Sequence, residues 1–349
     1  MRAFWDPAQL AHAPQFFLQR GQVRLNLECP SRALALLDGL AALRIVPERS
    51  APATAESLLA VHDANYLAFL QNAPAAWAAL DDAGPELIPS IHPSPEMLAQ
   101  GGMVGGTPDG LVGQIGWFTA DLACPITAAT WSAAAASAAC AIAAADAVMD
   151  AGTGGSVAYA LTRPPGHHAY PGRAGGHCYL NNAAIAAERL RARGAKTVGV
   201  LDIDAHHGNG TQGVFWTRRD VTTVSIHGDP AAYYPWYVGH ARELGSGDGH
   251  GANLNLPLPR ATADKPWLDA IAYGSEALAQ VDAVVVALGF DASVHEPLAY
   301  LKVNDDGFSR AGTLVRAALA GRPVVVVQEG GYDVDTLGSL LARFLSALA

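Results

Sequence analysis

The chain has 349 residues, half of them hydrophobic, and carries 22 basic against 32 acidic side chains for a formal net charge of −10. That is enough apolar mass for a large core, and so acidic a surface disfavours nucleic acid as a partner. The four cysteines, Cys29, Cys124, Cys140 and Cys178, form no CxxC pair, which argues against a thiolate zinc site or redox dithiol and for free thiols in a reducing compartment.

In chain order, the N-terminal "MRAFWDPAQLAHAPQ" lacks a sustained apolar stretch, so no secretory signal is expected and the protein reads as cytoplasmic. Residues 71–121 are rich in Pro and Gly with little periodicity, the mark of a lid, an interface loop or disorder. The Ala-rich run at 128–152 contains Asp146 and many small residues, which suits a core helix rather than a membrane span. β-branched runs at 156–161, 196–204, 221–227, 282–291 and 323–332 predict strands buried on both faces of a parallel sheet. Helical patterns lie between them at Asn182–Arg193, Trp267–Gln280 and Phe308–Ala320. Neither a repeat nor an interdomain linker interrupts this alternation, which predicts one α/β domain over residues 1–349.

Four of the runs end in polar clusters: Asp202 to His207, His227 to Asp229, Gly289 to Asp291 and Glu329 to Tyr332. Ligands of open α/β sheets sit outside the carboxyl ends of the strands, so the four together predict one shared pocket. In "LDIDAHHGNG", strand alternation turns Asp202, Asp204 and His206 to one face. Carboxylate and imidazole suit a divalent ion such as zinc, which needs about three protein ligands if it is to catalyse. Asp204 and His206 supply two, and Asp291 of "LGFDAS" is the best-placed third. Taken alone, an Asp after a strand is equally a turn or cap residue. His167 and His168 follow a Pro-Pro-Gly turn and suit proton transfer, with Asp202 available to orient one of them. In "QEGGY" the glycines free the backbone and Tyr332 offers a hydroxyl to a developing oxyanion. These parts describe metal-assisted hydrolysis, and no G-x-S-x-G nucleophile elbow is present.

"RPPGHHA", "LDIDAHHGNGTQ", "VSIHGDP", "LGFDAS" and "VQEGGY" occur in the order seen in the zinc-dependent histone deacetylase superfamily, which this chain resembles from about residue 4 to its end. "PPGHH", "HHGNGTQ", "GQIGWF" and "SIHGDP" are most similar to its bacterial acetylpolyamine amidohydrolase branch. The resemblance implies a three-layer arginase/deacetylase fold with a mainly parallel, eight-stranded sheet. It implies Asp204, His206 and Asp291 as zinc ligands and His168 as general base and acid. His167 would be the electrostatic partner oriented by Asp202, and Tyr332 would polarise the scissile carbonyl. It further implies structural potassium on the backbone and side chain of Asp202, the backbones of Asp204, His206 and Ile226, and the side chain of Ser225. Residues 82–115 match the insertion with which relatives form homodimers and narrow the active-site entrance.

The expected substrate is a small acetylated amine, held in a tunnel by Gly176, His177, Tyr234 and Phe17, with no nucleic-acid or membrane partner. Two departures put the substrate in doubt. Phe17 and Val112 stand where the first-described relative has acidic residues, and His177 replaces the Phe or Tyr of "GG[FY]C". Asn209 replaces an Asp of some deacetylases, as is usual in the amidohydrolase branch. Tyr234, Trp236 and Tyr237 are expected to line or rim the pocket.

An acetyl-lysine deacetylase acting on proteins is the competing reading, since both substrates present an acetylated amine on an alkyl chain. A roofed pocket favours the small amine. A metabolite sensor would have lost part of the catalytic set, and all of His167, His168, Asp202 and Tyr332 are here. A ureohydrolase of the arginase type needs a second carboxylate-rich metal site, and His207 and Asn209 suit only one ion.

Overall fold

The computed structural model describes residues 1–100, 107–152, 154–297 and 300–349. Among the described residues nine strands form: β1 (Arg2–Phe4), β2 (Phe16–Gln19), β3 (Gln22–Leu25), β4 (Val157–Ala160), β5 (Val198–Asp202), β6 (Val221–Gly228), β7 (Asn253–Leu258), β8 (Ala283–Leu288) and β9 (Val324–Gln328). β2 and β3 make a separate antiparallel hairpin. The other seven form one sheet in the order β1-β4-β9-β8-β5-β6-β7, every neighbouring pair parallel. The chain lays β5, β6 and β7 outward, then returns so that β8 and β9 fill the gap beside β4. Every residue of β5, β8 and β9 is buried, as continuous Val/Ile/Leu runs require.

Alternation along each strand divides the core into two layers. Val285, Ala287, Val325 and Val327 pack with the helices Thr130–Asp150 and Asn182–Ala192 on one face. Val284, Val286, Val324 and Val326 pack with Pro30–Ala42, Asp264–Ala277, Asp305–Ala318 and Val334–Leu348 on the other. Thr130–Asp150 is long and apolar enough to cross a bilayer, but its Ala-rich faces are spent on this core.

Two expectations need correction. The sheet has seven strands, not eight. Beside β1 an eighth strand shrinks to a single parallel bridge: the Glu48 N–H donates to the Ala3 carbonyl at 2.8 Å and the Trp5 N–H to the Glu48 carbonyl at 3.0 Å. Pro47 precedes Glu48 and has no N–H to extend the ladder. Nor is the 71–121 stretch irregular throughout. Ala64–Ala78 runs into it, and Pro95–Gln100 and Leu111–Phe118 are helical within it. Phe118 stacks on Phe69 at 4.7 Å, and a Cβ on Gly116 would collide with the Ile91 carbonyl. Tertiary packing therefore makes a helix of "LVGQIGWF", whose glycines hide it from the local pattern. Part of the 82–115 insertion, residues 101–106, lies outside the described residues.

Candidate active site

The sheet order brings the carboxyl ends of β4, β9, β8 and β5 side by side. β5 stops at Asp202 because its side chain turns the backbone: Oδ1 accepts the Asp204 N–H at 3.1 Å. Asp204 repeats the turn, its Oδ1 accepting the His206 N–H at 2.8 Å. Two successive Asx turns thus replace the strand continuation that alternation predicts. Asp291, three residues beyond β8, accepts the Ala205 N–H on Oδ1 at 2.8 Å and faces His206 Nδ1 with Oδ2 at 2.7 Å. Asp204 Oδ2 accepts the Gly330 N–H from the end of β9 at 2.7 Å. Close approach demands glycine there, since a Cβ on Gly330 would lie 2.7 Å from Asp291 Oδ2.

Ligand atoms of Asp204, His206 and Asp291 all lie within 4.8 Å of one another. Two carboxylates and an imidazole converging in one buried spot fit a divalent ion of the zinc type. His167, Cys178 and Glu329 also converge within 4.8 Å, but they are otherwise engaged. Burial raises the Cys178 thiol well above its usual range, leaving it a poor ligand. Glu329 Oε2 accepts the N–H groups of Gly166 and His167 at 2.7 and 3.1 Å, tying the histidine turn to β9.

His167 and His168 are buried, with ring centroids 3.9 Å apart. Their environments diverge. Burial opposes charge on His167, but Asp202, 2.9 Å from its Nδ1, and then Asp204 outweigh it and raise its pKa. Burial lowers the pKa of His168, and the neighbouring His167 and His206 lower it further. Asn209 Oδ1 is 2.6 Å from His168 Nδ1. With its proton on that nitrogen, His168 keeps Nε2 free as a base. Tyr332 sits under the Arg32 guanidinium, 4.8 Å from the ring centre. Burial holds its hydroxyl protonated despite the arginine.

Three of the four polar strand ends meet here, joined by the turn after β4. At the fourth, the His227 side chain is engaged elsewhere. His227, at the end of β6, faces Ser225 Oγ and the Gly239 carbonyl, both at 2.8 Å, and packs against His207. The loop that follows β6 nevertheless reaches the site through Tyr233, which stacks on His206, and Tyr234, which lies edge-on to His168. Ser225 and Ile226 do lie beside the site's floor, Asp202 being in register with Ser225.

Around the histidines, a Cβ on Gly176 would touch His168 Cδ2 at 2.5 Å. His177 (φ +68°) sits between Phe17, at 5.4 Å, and Tyr332, at 5.8 Å. The Tyr234 ring lies edge-on to His168 at 4.9 Å. The four expected substrate residues are therefore gathered at one wall. Trp236 and Tyr237 are exposed, Tyr237 at 87%.

Sequence reasoning missed several supports. Asp121 Oδ2 accepts from the Tyr234 hydroxyl at 2.6 Å and the Gly176 N–H at 2.9 Å. Tyr233 stacks on His206 at 4.5 Å. Buried Glu28 pairs through Oε2 with Arg32 and Arg163, each at 3.1 Å, and Arg32 donates to the Glu329 and Gly331 carbonyls at 2.6 Å. Residues so far apart in sequence each read as an ordinary surface charge. Asn209 was visible in "HHGNG", though not its contact with His168.

A profile of the histone deacetylase domain matches residues 26–348. The chain is 41% identical over 341 residues to an acetylpolyamine amidohydrolase of Burkholderia pseudomallei, covering 97% of this chain and 95% of that one. It is 38% identical over 331 residues to acetylpolyamine amidohydrolase 1 of Pseudomonas aeruginosa, covering 94% and 92%. The crystal structure of an acetylpolyamine aminohydrolase from Burkholderia pseudomallei superposes with a TM-score of 0.93 at 39% identity, over 100% of this chain and 98% of that one. The chain belongs to the histone deacetylase family of amide-bond hydrolases.

Proposed function

We propose that this protein is a zinc-dependent amidohydrolase that cleaves the acetamide of acetylated polyamines or related small amines, releasing acetate and the free amine. The observation that carries it is the convergence of Asp204, His206 and Asp291 beside two histidines of opposite protonation tendency. Those three residues would hold the ion, which when bound supplies Lewis-acid polarisation of a carbonyl and acidifies water.

The chain's own groups do the rest. Neutral His168 takes a proton from attacking water on Nε2 and returns it to the leaving amine. His167, held by Asp202, carries positive charge against the developing oxyanion. The Tyr332 hydroxyl donates to the same oxygen. Phe17 and His177 are apolar or uncharged wall, since burial holds His177 down to about 4; they suit the methylenes of an alkyl chain.

Supporting observations extend the reading. A small cavity bounded by Asp202, Gly208, Ser225 and Asn255 adjoins the residues expected to hold potassium. Ile91, Met97 and Val112 expose apolar side chains on the 82–115 insertion, as a homodimer contact would need. Four free cysteines suit the cytoplasm.

Turnover by zinc-loaded protein tests it. Acetylated putrescine, cadaverine and spermidine are compared with an acetyl-lysine peptide, with Tyr332→Phe as control. The small amines are expected to win by orders of magnitude and the variant to lose nearly all activity. A peptide processed equally well makes this a protein deacetylase.

A further inference from the structure

Tyr332 follows two glycines, and Gly331 is left-handed at φ +118°. Space requires them: a Cβ on Gly331 would lie 2.9 Å from Phe290 Cβ. Such a turn does not fix the direction of the next side chain by itself, so groups outside it must. Arg32 holds the carbonyls of Glu329 and Gly331 and covers the Tyr332 ring. Glu296 is the group that grips the backbone of Tyr332 itself. Its Oε1 accepts the Tyr332 N–H at 2.6 Å and the Asp333 N–H at 3.0 Å.

Those two N–H groups belong to the peptide planes on either side of the Tyr332 Cα. Pinning both planes to one oxygen sets φ and ψ of Tyr332, and with them the direction of its Cα–Cβ bond. Glu296 is 7% exposed, and its Oε2 is buried without a hydrogen-bond partner among the described residues. A buried carboxyl with one unsatisfied oxygen is costly to fold, a cost set against the two N–H groups that its other oxygen satisfies. It comes from the loop after β8, five residues past Asp291, and so couples that loop to the end of β9.

We propose that Glu296 is a positioning residue that aims the Tyr332 hydroxyl at the reacting carbonyl. This rests on the reading of Tyr332 given above.

The test is a double-mutant cycle on zinc-loaded protein with acetylated putrescine, combining Glu296→Ala with Tyr332→Phe and following kcat, KM, metal content and Tm. Glu296→Ala is expected to lower kcat about tenfold to a hundredfold, the cost of an ångström-scale misplacement, with KM and metal content little changed. Glu296→Gln, whose amide oxygen can accept the same two N–H groups, is expected to restore most of it. In the Tyr332→Phe background, measured at high enzyme concentration, Glu296→Ala is expected to add almost nothing. An undiminished loss in that background overturns the proposal, as does an unchanged kcat in Glu296→Ala alone. Full activity in Tyr332→Phe alone would instead sink the reading of Tyr332. If Glu296→Ala does not fold, Glu296→Asp, one methylene short, takes its place in the cycle, with the same expectations.

Discussion

The chain carries two adjacent-histidine pairs, 167–168 and 206–207, and the structure uses them oppositely. His167 and His168 are the central residues of a turn closed by the Ala169 N–H on the Gly166 carbonyl, so both rings face the site. His206 and His207 follow the two Asx turns at Asp202 and Asp204 and part company. His206 turns to Asp204 and Asp291, while His207 Nε2 faces Gln212 at 3.1 Å and Asn255 at 3.2 Å. The same doublet brings two rings to the candidate site in one place and one in the other, because backbone shape decides which side each ring takes. Within the first pair the partner decides again: an aspartate behind His167 and an asparagine behind His168.

The largest effect is expected at the second pair. His206→Ala should abolish both tight metal binding and turnover, measured by metal analysis and activity, whereas His207→Ala should keep its metal and show its cost in Tm. Equal metal loss in both would erase the contrast. At the first pair, His168→Ala is expected to lower kcat/KM by about 10²–10⁴-fold, the usual worth of general acid–base catalysis, while keeping its metal.

A subtler change sharpens the comparison within that pair. Asn209→Asp places a carboxylate behind His168 as Asp202 stands behind His167. Its pKa should rise, and because the base works unprotonated, the acid limb of the kcat/KM profile should move up by about one pH unit. An unmoved limb would assign it to another group.

The smallest effect concerns a histidine outside both pairs. His62 accepts the Asn181 N–H on Nε2 at 2.9 Å and faces the Pro171 carbonyl with Nδ1. Burial holds its pKa down to about 4. Above the unfolded value of about 6.5 both states are neutral and stability is complete. As pH falls from there towards 4, the unfolded chain takes a proton that the folded one refuses, at a cost of up to about 3 kcal/mol. Urea titrations from about pH 7 to pH 4 should show that loss, reduced in His62→Asn.

Much of this was legible because strong patterns coincided. Runs such as "DAVVVAL", short and rich in valine, read as buried strands, and the polar residues after them stand where an α/β sheet keeps its ligands. The N-terminal third was poorly legible. β1 is three residues long, its would-be neighbour is a single bridge at Glu48, and the helix Leu111–Phe118 needs Phe69 to stack on. The same holds for the supports of the site. Glu28, Arg32, Glu296 and Glu329 are charged residues whose meaning lies in contacts hundreds of residues apart or across a loop.

By itself the sequence determined the fold class and the candidates for metal ligation and proton transfer, because donor chemistry and strand periodicity are local properties. Only the tertiary structure decided that His227 is engaged away from the site, that both rings of the first histidine pair but one of the second face it, and what holds Tyr332 in place. Those outcomes depend on strand order and on backbone turns whose hydrogen bonds close between distant segments, and no local pattern carries that information.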